Sequence, residues 1–144
     1  KTIRQKKISD LHNRLKLINE TPDCLFISIH QNSYPYPNNT GTQVFYSPNH
    51  PESQALAAAI QQSVIHLIQP QNTRKVKKSG TEIYLLYQAK TPAVMVECGF
   101  MSNAQETEKL RTEAYQNELA LSIFYGVLSY LNGIGTADAT PAAQ

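Results

Sequence analysis

Two short apolar runs, each closing on an ionisable residue, constrain this chain more than any other feature. They are Cys24-Leu25-Phe26-Ile27-Ser28-Ile29-His30 and Ala93-Val94-Met95-Val96-Glu97-Cys98-Gly99. Both read as strands, and the first as one buried on both faces, the pattern of a parallel sheet. Amphipathic segments surround them. Ile8, Leu11, Leu15 and Ile18 recur at three- and four-residue steps, which predicts a helix that Thr21-Pro22-Asp23 ends. Residues 51–68 present Leu56, Ala59, Ile60, Val64 and Leu67 on one helical face, and 114–131 form a last long helix before Asn132-Gly133. Further strand candidates lie at 42–47 and 83–86, and Asn103 with Glu106 has the spacing of a capping box. Apolar strands alternating with amphipathic helices predict an α/β fold, a mostly parallel sheet layered between helices.

At 144 residues this is one domain's worth of chain. No apolar run approaches the ~18 residues of a membrane span. The start, Lys1-Thr2-Ile3-Arg4-Gln5-Lys6-Lys7, is basic but has no apolar region behind it, so no signal peptide is legible. A net charge of +2 is far from the footprint of a nucleic-acid binder. The charge is unevenly spread: residues 1–20 hold six Lys/Arg against Asp10 and Glu20, which makes +4 and leaves −2 for the rest. A second basic cluster, Arg74-Lys75-Val76-Lys77-Lys78, reads as solvated surface, with contact to an anionic polymer as the alternative. Cys24 and Cys98 are too few for a disulfide scaffold or a zinc ribbon and read as buried free thiols.

In α/β enzymes ligands sit beyond the carboxyl ends of the strands, so polar residues there are the first candidates for chemistry. His30 closes the first run and Glu97 the second. A carboxylate following four apolar residues is partly desolvated, which raises its pKa towards that of a useful base. Each residue alone has a plain structural reading, as a hydrogen-bonded histidine or a helix-capping glutamate. Together, at corresponding strand ends, they predict a site. They are not a complete zinc site, which wants three protein ligands and an open position. His12, His50 and His66 add no neighbouring ligand, and no nucleophile elbow or phosphate loop is present.

Ser28-Ile29-His30-Gln31-Asn32 and Val96-Glu97-Cys98-Gly99-Phe100-Met101-Ser102-Asn103 closely resemble two motifs of the zinc-dependent N-acetylmuramoyl-L-alanine amidases. The order and spacing of elements also match over about residues 8–133. The stretch from Asp10 to Glu20 looks most like the branch of endospore formers that prepares spore cortex for germination. The resemblance implies a zinc hydrolase that cuts the amide between the lactyl group of N-acetylmuramic acid and the L-alanine of the stem peptide. It implies His30 as a zinc ligand and Glu97 as the catalytic glutamate. It also implies peptidoglycan as partner, no nucleic acid, and an exported protein working in cell wall or spore cortex.

The family's other two zinc ligands, a histidine in a glycine-rich motif and a glutamate, precede the matching region, and no Asp-Pro-Gly-His-like stretch occurs in 1–144. Residues 1–133 are therefore expected to be the C-terminal part of a catalytic domain whose sheet is incomplete on its N-terminal side, with 134–144 a flexible tail. A separately supplied upstream segment is then a candidate partner. Two alternatives stay open: a non-catalytic peptidoglycan-binding or regulatory module of the same fold, and a zinc carboxypeptidase-like peptidase.

Overall fold

The computed structural model describes residues 2–133; the expected tail at 134–144 lies outside the described residues. Nine elements follow in order: α1 (Ile3–Glu20), β1 (Phe26–Asn32), β2 (Gln43–Tyr46), α2 (Ser53–Ile68), β3 (Lys77–Lys78), α3 (Tyr84–Gln88), β4 (Ala93–Phe100), α4 (Ala104–Leu110) and α5 (Glu113–Leu131). The strands form one sheet in the order β1-β4-β2-β3. β1 runs parallel to β4 and β3 parallel to β2, while β2 and β4 are antiparallel. The expected α/β architecture, a mostly parallel sheet between helices, is what the chain forms.

Strand alternation divides the core in two. Val94, Val96 and Cys98 of β4 point to one face, where Leu56, Ile60 and Val64 of α2 and Leu119 and Ile123 of α5 cover them. Ala93 and Met95 point to the other, against Ile18 of α1 and Leu86 and Ala89 of the α3 region. β4, buried along its whole length, is the spine of both layers. Gly126 lets α2 and α5 touch backbone to backbone: a Cβ there would stand 2.5 Å from the Cα of Ile60.

Buried polar groups complete the ladder where no strand does. Gln61 of α2 accepts from the Val44 amide at 2.9 Å and donates to the Thr42 carbonyl at 3.0 Å. Thr42 is fully buried, and its hydroxyl donates to the Cys98 carbonyl at 2.9 Å.

Several local expectations are corrected. Residues 83–86 are not a strand: Tyr84–Gln88 is a short helix, whose Leu86 is fully buried. A short apolar run suits a buried helical turn as well as a strand, and periodicity cannot separate the two. The basic segment contributes the two-residue strand β3, which was not foreseen. β1 starts at Phe26 rather than Cys24 and is not buried on both faces. It is the sheet's edge among the described residues, and Ile29 is 57% exposed. Leu67 is half exposed, so the apolar face of α2 ends at Val64. α1 begins earlier than its stripe, at a capping box formed by Thr2 and Gln5, and of the stripe only Ile18 is buried. Both cysteines are free thiols; Cys98 is buried, whereas Cys24 is only partly so. Among the described residues, no helix is long and apolar enough to cross a membrane.

Candidate active site

His30 and Glu97 are brought together as expected. They are register partners on the parallel pair β1–β4, so their side chains leave the same face of the sheet. On the other side of β4, Gln43 is the antiparallel partner of Glu97. A row of three polar residues, His30, Glu97 and Gln43, therefore crosses three strands, with the strand ends of β1 and β4 on one side of it. Gln43 was not singled out from the sequence. Its position at the head of a strand candidate was legible, but its place in the row depends on an antiparallel pairing that sequence spacing does not reveal.

Regular pairing stops at this row. Asn32 pairs with Phe100, so β4 uses three residues where β1 uses two. Such a bulge bends its strand and re-aims the neighbouring side chains, a common device beside active sites. Gly99, inside it, lies so close to α4 that a Cβ would stand 3.0 Å from a Glu106 carboxylate oxygen.

Glu97 is 9% exposed, and its Oε2 is buried without a hydrogen-bond partner among the described residues. Burial pushes its carboxyl above the usual carboxylate range, and the nearby His30 offsets part of that rise. His30 itself is exposed. An exposed imidazole beside an unpartnered, desolvated carboxylate is a donor set that a divalent cation or a polarised water would satisfy. It fits one wall of a zinc site rather than the whole of one. No group of three His, Cys, Asp or Glu residues able to hold a metal occurs among the described residues.

The rim is built by the segment that carries Glu97. Asn103 caps α4, its side chain accepting from the Gln105 and Glu106 amides at 3.0 and 3.1 Å. The reciprocal half of the expected capping box is replaced: Glu106 accepts from the Gly41 amide at 2.9 Å and the Phe100 amide at 2.8 Å. Asn103 also donates to the Pro37 carbonyl at 2.8 Å, and Ser102 accepts from the Tyr34 amide at 3.4 Å. The tyrosine- and proline-rich loop between β1 and β2 is thereby fastened to the end of β4. Beyond Gln43, a cleft of about 670 Å³ opens between this loop, residues 68–74 and α4, with Arg74, Glu106 and Tyr115 in its lining.

The remaining histidines stay apart from the row. The His12 ring lies 5.9 Å from that of Tyr84, and His50 accepts from the Glu52 amide at 3.3 Å. His66 sits in the last turn of α2. Cys98 points into the core opposite Glu97, and burial, with the Glu97 charge adding to it, pushes its thiol up to about 11.

Residues 2–129 match the N-acetylmuramoyl-L-alanine amidase family. The chain is 36% identical over 131 residues to the germination-specific N-acetylmuramoyl-L-alanine amidase of Bacillus subtilis, covering 91% of itself and 54% of that protein. It thus spans about half the length of that curated relative. Among solved structures, the CwlD amidase of Clostridioides difficile, in complex with the GerS lipoprotein, superposes with a TM-score of 0.87 at 36% identity. That match covers 92% of this chain and 67% of that one. An N-acetylmuramoyl-L-alanine amidase from Clostridium difficile 630 gives 0.77 at 31% identity, covering 85% and 65%.

Proposed function

This chain belongs to the N-acetylmuramoyl-L-alanine amidase family, and from that premise we propose that it carries the base-bearing half of a peptidoglycan amidase acting on cell wall or spore cortex. The reaction is hydrolysis of the amide between the lactyl group of N-acetylmuramic acid and the L-alanine of the stem peptide. The observation that carries the reading is the register of His30 with Glu97, whose Oε2 is buried without a partner among the described residues.

In this reading His30 is one ligand of a single zinc ion, and the two further ligands come from a segment upstream of the family motifs seen here. The chemistry the ion supplies when bound is acidification of a water and polarisation of the scissile carbonyl. Glu97, destabilised as a carboxylate by burial, takes a proton at Oε2 and returns it to the departing alanine nitrogen. Gln43, on the far side of Glu97, offers an amide to the substrate backbone. Residues 1–133 are read as the C-terminal part of the catalytic domain, and the protein as exported to the compartment that holds its polymer.

The upstream segment, in cis or as a separate piece, is the proposed partner of the exposed β1 edge. A lipoprotein partner of the kind seen with the CwlD amidase is a further candidate. The test is hydrolysis of a defined muropeptide by the intact, zinc-loaded protein. A new free L-alanine amino terminus supports the reading. Release of a terminal amino acid would assign a carboxypeptidase, and binding without cleavage would assign a wall-binding module.

A further inference from the structure

The basic run Arg74-Lys75-Val76-Lys77-Lys78 plays no part in the amide chemistry, yet it borders the polar row. Gln43 donates to the Lys75 carbonyl at 3.0 Å and accepts from Arg74 Nη1 at 3.5 Å. Arg74 is held firmly: Nε donates to the Thr40 carbonyl at 2.6 Å, Nη2 to Asn39 Oδ1 at 3.3 Å, and Cζ lies 4.6 Å from the Phe100 ring centre. Three of its five N–H groups are thus engaged within the described residues, which leaves the guanidinium fixed but not saturated. Lys77 Nζ lies 5.8 Å from the ring of Phe45, which is two residues from Gln43 and so on the same face of β2.

Neither cation has a carboxylate to neutralise it. The ion pairs among the described residues are Asp10–Arg14 and Glu108–Arg111. Glu82 feels the charge of Lys77, but its carboxylate accepts from the Gly80 amide and makes no ion pair with it. A rigid guanidinium over an aromatic ring, beside a second unpaired cation and an amide that abuts the base, is arranged to receive a planar anion.

We infer that Arg74, assisted by Lys77, binds a free carboxylate of the stem peptide on the alanine side of the cleaved amide, and so sets the substrate's charge specificity. The inference rests on the amidase reading above and names its substrate class, an acidic peptide. Gln43 stands one strand, about 5 Å, from Glu97, and Arg74 meets the far end of the Gln43 side chain, which puts the guanidinium on the order of 10 Å from the base. An extended peptide covers that in about three residues. The carboxylate is therefore the first one beyond the alanine, and a chain leaving Glu97 across Gln43 delivers it to Arg74.

The experiment compares two muropeptides that differ only in that carboxylate, free in one and carboxamide in the other, using the intact protein. The free acid is expected to have the lower KM by about tenfold, the scale of one charge-assisted hydrogen bond. Arg74→Gln should erase the preference by raising KM for the free acid to that for the amidated peptide. Lys77→Gln, at an exposed position that leaves the fold alone, should erode it by a smaller factor. Equal KM values for the two peptides in the parent protein would overturn the inference, as would equal losses on both in Arg74→Gln. Calorimetric binding of the two peptides gives the same comparison without turnover. If neither peptide is cut but the free acid binds more tightly, and Arg74→Gln removes the difference, the carboxylate site stands and the amidase reading falls.

Discussion

Across the parallel pair β1–β4, His30 stands directly opposite Glu97, and theirs is the last pairing before the register shifts. Backbone hydrogen bonds on the core side hold the two strands in step up to this row. Beyond it lie the bulge and the loops. The imidazole and the carboxylate are thus placed by the regular part of the sheet, while the residues after them leave that register to build the rim.

Glu97→Gln in the intact protein keeps the shape of the side chain but removes the base. Turnover is expected to fall by on the order of 10²–10⁴ with zinc content unchanged. His30→Ala should lower zinc content and activity together. Metal analysis beside the muropeptide assay separates the two roles, and full activity of Glu97→Gln would remove Glu97 from the mechanism.

The isolated chain should hold zinc weakly, with an affinity poorer than about micromolar. His30 and Glu97 supply at most two donors, and no third is grouped with them among the described residues. A zinc titration followed by competition with a chelator of known affinity checks this. Tight, stoichiometric binding would mean that the site is completed in another way.

Cys98 provides a pH-dependent signature. Its thiol titrates at about 11 in the fold against an ordinary 9.0, chiefly through burial. The folded state therefore keeps the proton that the unfolded chain loses first. That contribution is fully present below pH 9 and is lost as pH rises towards 11, on the order of 2 kcal/mol. Denaturant melts of the parent and Cys98→Ala should converge between pH 8 and about pH 11. A gap between them that does not change with pH would show that the thiol is not shielded.

Gly126→Val should be among the most disruptive single changes to the helical layer. Its Cβ would meet the Ile60 backbone, which cannot swing aside as a side chain can. Forcing α2 and α5 apart should cost about 1–3 kcal/mol or more, read as a lower denaturation midpoint. An unchanged midpoint would mean that the helices have slack there.

Gln61→Leu preserves volume but strands the Val44 amide in the core, while the Thr42 carbonyl keeps its bond from the Asn72 side chain at 2.9 Å. One unmet backbone amide should cost on the order of 1–3 kcal/mol. Chemical denaturation measures it, and a loss below about 1 kcal/mol would indicate that water replaces the amide.

His30 and Glu97 were legible because each follows an apolar run, and a polar residue at the end of a buried strand has few reasons to be there. The helices were legible from spacing, and so was the cap at Asn103. What stayed hidden depends on partners distant in the chain. The helix of α3 is selected by the fit of Leu86 into the core and not by its own pattern. The exposed side of β1 follows from its place at the edge of the described sheet, which a run of hydrophobic letters does not encode. Glu106 has the spacing of a capping residue, yet it reaches Gly41, 65 positions away. Gln43 and Arg74 acquire meaning only through the antiparallel return of β2 along β4.

The stretch from Val96 to Asn103 carries the carboxylate and also anchors the loop that fences it, through Ser102 and Asn103. Chemistry and enclosure are thus written in the same eight letters, and a lineage cannot revise one without editing the other. Grafting only the loop from a relative should misplace the fence, and grafting only the strand should leave it untethered. Exchange of the two as a unit is the route by which this architecture can take on a new substrate.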